Sequence, residues 1–114
     1  MTLGEKQRLF TRLVGLLIEF AYQQGYELTF GDAYRTPEKA AENAAQGVGV
    51  KSSLHTKRLA IDFNLFKGGT FQTNSEDHLE LGIFWEGLHS LCRWGGRFHK
   101  PDGNHYSLEH EGVK

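Results

Sequence analysis

The chain carries a single cysteine, Cys92, and no excess of basic residues. Its 114 residues hold 13 Lys+Arg against 14 Asp+Glu, a formal net charge of −1 with histidine neutral. One thiol excludes an internal disulfide framework and any thiolate-only zinc site. The balanced charge lacks the basic footprint of a general nucleic-acid or anionic-membrane binder. Long apolar runs are missing too. The most apolar stretch, Leu13–Phe20, has Glu5, Lys6, Arg8 and Arg12 before it and is broken into by Glu19. It is too short to span a bilayer and has no small-residue cleavage site, so it reads as neither an anchor nor a secretory signal. The expectation is a chain made in the cytoplasm, without membrane insertion. There is no repeat and no low-complexity tract. The length suits one domain over residues 1–114, and 39% hydrophobic with 24% charged residues fits a folded chain. What is plentiful is histidine, with six in so short a sequence.

Phe10, Leu13, Val14, Leu17, Ile18, Ala21 and Tyr22 follow helical spacing and predict an amphipathic helix over 3–24. Thr2 with Glu5 forms a capping box, and Gly25 suits the position after the helix. Tyr26–Phe30 reads as a short strand. Thr36 as N-cap with Pro37 at the first helical position opens a second helix to about Gln46. Gly47–Ser53 reads as an exposed loop. Over Arg58–Phe66 the residues alternate: Leu59, Ile61, Phe63 and Leu65 face the core, and Ala60, Asp62, Asn64 and Phe66 face the other way. Lys67-Gly68-Gly69 is a turn into a return strand at 70–73. A third helix is predicted over 77–93, with Leu81, Phe84, Trp85, Leu88 and Leu91 as its apolar face, stopping at Gly95-Gly96. The last strand, 104–109, turns Tyr106 and Leu108 inward and His105, Ser107 and Glu109 outward. The pattern is α+β: a small antiparallel sheet packed against helices.

Asp62 and His105 are metal-ligand types on the outward face of core strands, and His55 lies seven residues before Asp62. Two imidazoles and a carboxylate suit a catalytic zinc ion with its fourth position open. Asp102 sits three residues before His105 in the turn Pro101-Asp102-Gly103-Asn104. The glycine lets that turn swing the carboxylate over the metal face, where it could accept a proton from an attacking water. Plainer readings exist for each residue taken alone. His55 and His105 could be exposed, Asp62 a polar residue on a solvated sheet face, and Asp102 a turn former.

Ser53-Leu-His55-Thr-Lys-Arg-Leu-Ala60-Ile-Asp62 resembles the Ser-x-His-x6-Asp signature of the D-alanyl-D-alanine carboxypeptidase and L-alanyl-D-glutamate peptidase family of zinc metallopeptidases. Tyr34-Arg35-Thr36-Pro37-Glu38 is similar to the family's upstream segment. Trp94-Gly95-Gly96 with Asp102-Gly-Asn-His105-Tyr106 is similar to its closing one. The three motifs stand in order over about residues 30–110. The resemblance implies a hedgehog and D-Ala-D-Ala peptidase-like fold with the zinc site on one face of the sheet. It also implies one Zn2+ held by His55, Asp62 and His105, with Asp102 as general base. Arg35 would bind a substrate carboxylate or stabilise the oxyanion; its plainer reading is a salt bridge to Asp32 or Glu38. Ser53 would hydrogen-bond substrate or shape the loop. The implied partner is the peptidoglycan stem peptide, with L-Ala-D-Glu endopeptidase activity ahead of D-Ala-D-Ala carboxypeptidase activity, in a monomer. The family includes phage endolysins, so the expected place of action is the cell wall after release, or wall fragments in the cytoplasm.

Two departures stand out. Arg58 takes a place where the family often has glycine, and could narrow the cleft or contact an acidic substrate. Asp102 stands where the dipeptidases typically have glutamate, which is more like the L-alanyl-D-glutamate branch. Among the remaining histidines, His78 and His89 read as solvated or helix-face residues of the third helix, and His99 or His110 as groups that could hold a metal ligand in place. Trp85 and Trp94 read as core or cleft wall, Cys92 as a buried thiol, and Lys57 with Arg58 as a solvated basic spot. Two rival functions are a non-catalytic zinc-stabilised module that holds a cell-wall peptide, and a metal-dependent nuclease suggested by Gly103-Asn104-His105. The charge balance disfavours the nuclease.

Overall fold

A computed structural model describes residues 1–49 and 53–114 of the chain. Helix α1 spans Leu3–Gln23 and opens with the capping box: Thr2 Oγ1 accepts from Glu5 N at 3.1 Å, and Glu5 Oε1 accepts from Thr2 N at 2.9 Å. Phe10, Leu13, Val14, Leu17 and Ala21 form its buried face. Gly25, at φ +88°, takes the left-handed turn that feeds β1, Tyr26–Phe30. Thr36 caps α2, Pro37–Ala45, by accepting from Lys39 N. Of the loop expected at Gly47–Ser53, residues 47–49 are exposed, Ser53 is buried, and residues 50–52 lie outside the described residues.

Strands β2 (Ala60–Lys67), β3 (Thr70–Gln72), β4 (Cys92–Trp94) and β5 (His105–Leu108) complete a sheet with the order β1-β2-β5-β4. Every pairing is antiparallel, so the α+β expectation holds. β2 is long enough to serve two partners on one edge: β5 pairs with its first half and β3 with its last residues. Its inward residues Ile61, Phe63 and Leu65, with Leu59 just before the strand, meet Tyr106 and Leu108 of β5 in one core with the α1 face. Helix α3, Leu79–Leu88, closes that core with Leu81 and Trp85, both fully buried. The ring of Trp85 meets Phe10 edge to face at 5.7 Å.

The third helix differs from its expected span of 77–93. Ser75–His78 is a 3₁₀ turn, α3 ends at Leu88, and Cys92–Trp94 is a strand. The helical spacing of Leu88 and Leu91 carries across a chain reversal that it cannot reveal. His89 makes the reversal: its Nδ1 accepts from Leu91 N and its carbonyl from Cys92 N, both at 3.0 Å. The free edge of β5 then gains a partner, with Cys92 opposite Leu108 and Trp94 opposite Tyr106. His89 is therefore a turn residue and not a solvated helix residue. His78 is not solvated either; it is 3% exposed, with Nδ1 2.8 Å from the Tyr106 hydroxyl. Ser107, expected outward, is also fully buried, because its hydroxyl donates to the Lys114 carbonyl of the C-terminal segment that covers β5.

Trp85, Trp94 and Cys92 are buried, as the sequence suggested. Burial pushes the Cys92 thiol up to about 12, which removes it as a nucleophile. Trp94 lies against Gly82 and Gly96, where a Cβ on either would overlap its ring. No helix among the described residues is long and apolar enough to cross a membrane.

Candidate active site

His55 projects from a 3₁₀ turn, Leu54–Lys57, whose start is fixed by Ser53: the Ser53 hydroxyl accepts from His55 N at 3.2 Å. Ser53 is thus a loop-shaping residue that also lines the cleft. The His55 ring is nearly sealed, and its Nδ1 lies 3.2 Å from the Ala33 carbonyl. A carbonyl only accepts, so Nδ1 carries the hydrogen and Nε2 presents its lone pair. That lone pair faces Asp62 Oδ1 at 3.4 Å.

Asp62 lies on β2 directly opposite His105 on β5, which puts both side chains on one face of the sheet. Its backbone is held on the other edge by the chain beyond β1. Asp62 N donates to Asp32 O, and Gly31 N donates to Asp62 O, both at 2.8 Å. Gly31 permits this approach, since a Cβ there would stand 3.1 Å from that of Asp62. His105 Nδ1 is 3.3 Å from Asp62 Oδ1, and the two imidazoles stand nearly perpendicular with centroids 5.3 Å apart. The Phe98 ring packs beside His105 at 5.4 Å.

The donor atoms of His55, Asp62 and His105 all lie within 4.8 Å of one another. Asp62 Oδ1 is buried with no hydrogen-bond partner among the described residues, despite two ring nitrogens nearby. An unsatisfied buried carboxylate oxygen is costly, and a cation between the three groups removes that cost. Bonds of about 2.0–2.1 Å in a tetrahedral zinc set place neighbouring donor atoms about 3.3–3.4 Å apart. Both measured separations have that length. The residues fit the metal.

The electrostatics agree. Burial by itself would raise the Asp62 carboxyl, but the two imidazoles outweigh it when protonated and lower it to about 2. Burial likewise disfavours charge on His55, yet the Asp62 carboxylate and the Ala33 carbonyl raise its pKa above the ordinary value. A cluster that draws positive charge onto its imidazoles is equally suited to a metal ion.

Asp102 sits on an anchored turn. Its N–H donates to Gly95 O at 2.9 Å, and its carbonyl accepts from His105 N at 3.0 Å. Next to it, Gly103 N donates to Ser75 Oγ at 3.0 Å, and Gly103 O accepts from Trp94 Nε1 at 2.7 Å. Gly95 must lack a side chain, because a Cβ would overlap the Asp102 carbonyl. The Asp102 carboxyl lines the same cleft as the three ligand candidates. Partial burial raises its pKa, the Asp62 charge adds to the rise, and His105 opposes it.

The cleft has a volume of about 680 Å³ and brings together Arg35, Ser53, His55, Asp62, Asp102 and His105. All six residues singled out in the sequence therefore line one cavity. Arg35 makes the salt bridge of its plainer reading, with Nη2 2.7 Å from Asp32 Oδ2, and it also lines the cleft. Arg58 does not line it. Its guanidinium stacks on the Tyr34 ring at 4.0 Å, beside a separate apolar hollow. Its φ of +55° explains why glycine suits this place. Neither remaining histidine touches the ligand candidates. His99 is exposed, and His110 Nδ1 is 3.1 Å from Lys6 Nζ. The group that orients His55 is the Ala33 carbonyl, which no residue-type pattern could announce.

The fold defined by this sheet and these helices is shared with known enzymes. The chain superposes on the L-Ala D-Glu endopeptidase ChiX of Serratia marcescens with a TM-score of 0.75 and 16% identity, covering 93% of this chain and 85% of that one. It also superposes on a variant of VanY, a vancomycin-resistance D,D-pentapeptidase from a VanB-type cassette in complex with Zn(II). There the TM-score is 0.58 with 20% identity, over 87% of this chain and 70% of that one. No protein-family model matches the chain, and no curated protein is significantly similar in sequence.

Proposed function

We propose that residues 1–114 form one monomeric catalytic domain, a zinc peptidase that hydrolyses a bond of the bacterial peptidoglycan stem peptide. The observation that carries this reading is the convergence of His55, Asp62 and His105 around an unsatisfied carboxylate oxygen, with Asp102 on the same cleft wall. Bound there, zinc supplies Lewis acidity, polarising the scissile carbonyl and bringing the pKa of water toward neutrality. Asp102 accepts the proton of the attacking water and returns it to the leaving amine. Its raised pKa makes the carboxylate a better acceptor for that proton. Arg35, held by Asp32, presents its remaining N–H groups to the substrate oxygen on which negative charge develops. The L-Ala-D-Glu bond is the favoured target. Two things support that choice: an aspartate at position 102, and the fuller superposition on an L-Ala D-Glu endopeptidase than on a D,D-pentapeptidase.

Mass spectrometry of purified peptidoglycan digested by the protein names the bond. Chelation should abolish cleavage and added zinc restore it; cleavage that survives metal removal defeats the reading. Asp102→Ala should keep one zinc per chain while turnover falls by about 10²–10⁴. Loss of bound zinc in that variant would make Asp102 a ligand and not the base. A wild-type protein that binds zinc and wall peptide without cleaving is a binding module.

A further inference from the structure

Beyond Asp102 the cleft meets a second pocket of about 210 Å³, roughly a third of the cleft's volume. Asn64, Gln72, Asn74, Ser75 and His78 line it together with Asp102. No lysine or arginine does. His78 has no part in the chemistry above, yet it is nine-tenths buried and its surroundings fix its proton. The Tyr106 hydroxyl is fully buried, and its one hydrogen-bond partner among the described residues is His78 Nδ1, at 2.8 Å. The phenol hydrogen therefore goes to Nδ1, which leaves the ring hydrogen on Nε2. Nε2 has no hydrogen-bond partner among the described residues, Nδ1 being the nitrogen beside the Tyr106 hydroxyl. His78 lines the pocket, and Nε2 is its one polar side-chain atom not taken up by Tyr106. Burial pushes the His78 pKa down to about 4, so at neutral pH this donor is uncharged. Ser75 accepts from Gly103 N with its hydroxyl oxygen and keeps its own hydrogen for the pocket.

A pocket with neutral donors and no cation is built for a neutral acceptor and not for a carboxylate. Its position decides which part of a substrate supplies that acceptor. Asp102 must reach the leaving nitrogen to return the proton, so the residue carrying that nitrogen lies nearest this pocket. We propose that the pocket is a subsite for the leaving-group side of the substrate, with His78 Nε2–H donating to a carbonyl oxygen of the residue after the scissile bond. The inference rests on the peptidase reading of the cleft and adds a specificity-determining residue to it.

Two substrates with the same acyl part test it. One has an amino-acid amide as leaving group; the other has an alkyl amine of the same skeleton without the carbonyl. The wild-type protein should favour the first by about tenfold in kcat/KM, the loss expected for one hydrogen bond to a partner left unpaired. His78→Phe should erase that preference, bringing the two substrates to within about twofold of each other in kcat/KM. Equal loss on both substrates, or no wild-type preference, overturns the proposal. A second measurement needs no variant that folds: the His78 Nε2–H resonance of the zinc-loaded wild type, followed during titration with the amino-acid amide alone. A saturable shift supports the subsite, and an unmoved resonance overturns it. If neither substrate is cleaved, the peptidase reading fails, and the titration still decides whether the pocket binds a carbonyl.

Discussion

Acidifying the metal-free protein isolates the energetic weight of His78. In the unfolded chain its imidazole takes up a proton near the ordinary value of 6.5, whereas in the folded chain burial delays protonation to about 4. Between those values the unfolded state binds more protons, so stability falls as pH falls. The contribution is fully present above 6.5 and gone below about 4. At about 1.4 kcal/mol per pH unit, the gap is worth about 3 kcal/mol, a large share of a small domain's stability. The ring is 3% exposed, so solvent does little to reduce that figure. The assay is urea unfolding followed by fluorescence of the buried Trp85 and Trp94, from about pH 7.5 to about pH 4, in the presence of chelator. The comparison is with His78→Gln, which stays neutral throughout and can still bond the Tyr106 hydroxyl. His55 and Asp62 titrate in both proteins, with His55 contributing in the opposite sense, and they cancel in the difference. The variant should be the less stable near pH 7.5, and the gap should close or reverse by about 3 kcal/mol on reaching pH 4. Parallel stability curves would refute the reasoning, because they would mean that burial does not hold His78 neutral.

Three further outcomes follow from the geometry. Zinc uptake near pH 6 should release protons, since His55 holds its proton more tightly than a free imidazole and must give it up to bind metal. Calorimetry in two buffers of different ionisation enthalpy measures this, and a buffer-independent heat would contradict it. Gly95→Ala should cost about 1–3 kcal/mol and also lower turnover, because the methyl group meets the Asp102 carbonyl and the His105 Cβ; unchanged thermal unfolding and activity would show that the turn is not anchored there. Arg58→Gly should match wild-type stability to within about 1 kcal/mol, relief at a left-handed residue offsetting the lost Tyr34 stacking. Arg58→Ala should be the less stable of the two, and the reverse order in a melting experiment would falsify this account.

The helices and strands that announced themselves in the sequence are those whose signals are local. The capping box at Thr2 and Glu5 and Pro37 behind Thr36 use contacts within a few residues, and the alternation through Ile61, Phe63 and Leu65 is a pattern carried by the strand itself. β4 was invisible for the opposite reason. Cys92–Trp94 is a strand because β5, more than ten residues further on, offers it an edge, while its own residues continue a helical spacing. Burial of His78 and Ser107 depends on partners as distant as Tyr106 and Lys114, respectively.

For the site, the chemical inventory is legible along the chain: two imidazoles, two carboxylates, a guanidinium and a hydroxyl, in an order that places Asp62 and His105 on outward strand positions. This holds because residue type and period-two alternation are both readable along the chain. That these groups share one cleft follows from long-range contacts, because the antiparallel register sets Asp62 against His105 and the Ala33 carbonyl turns His55 Nε2 toward them. The same long-range contacts separated the histidines that serve the site from those that do not. They moved Arg58 away from the cleft, and they gave His78 a fixed proton at the mouth of a second pocket.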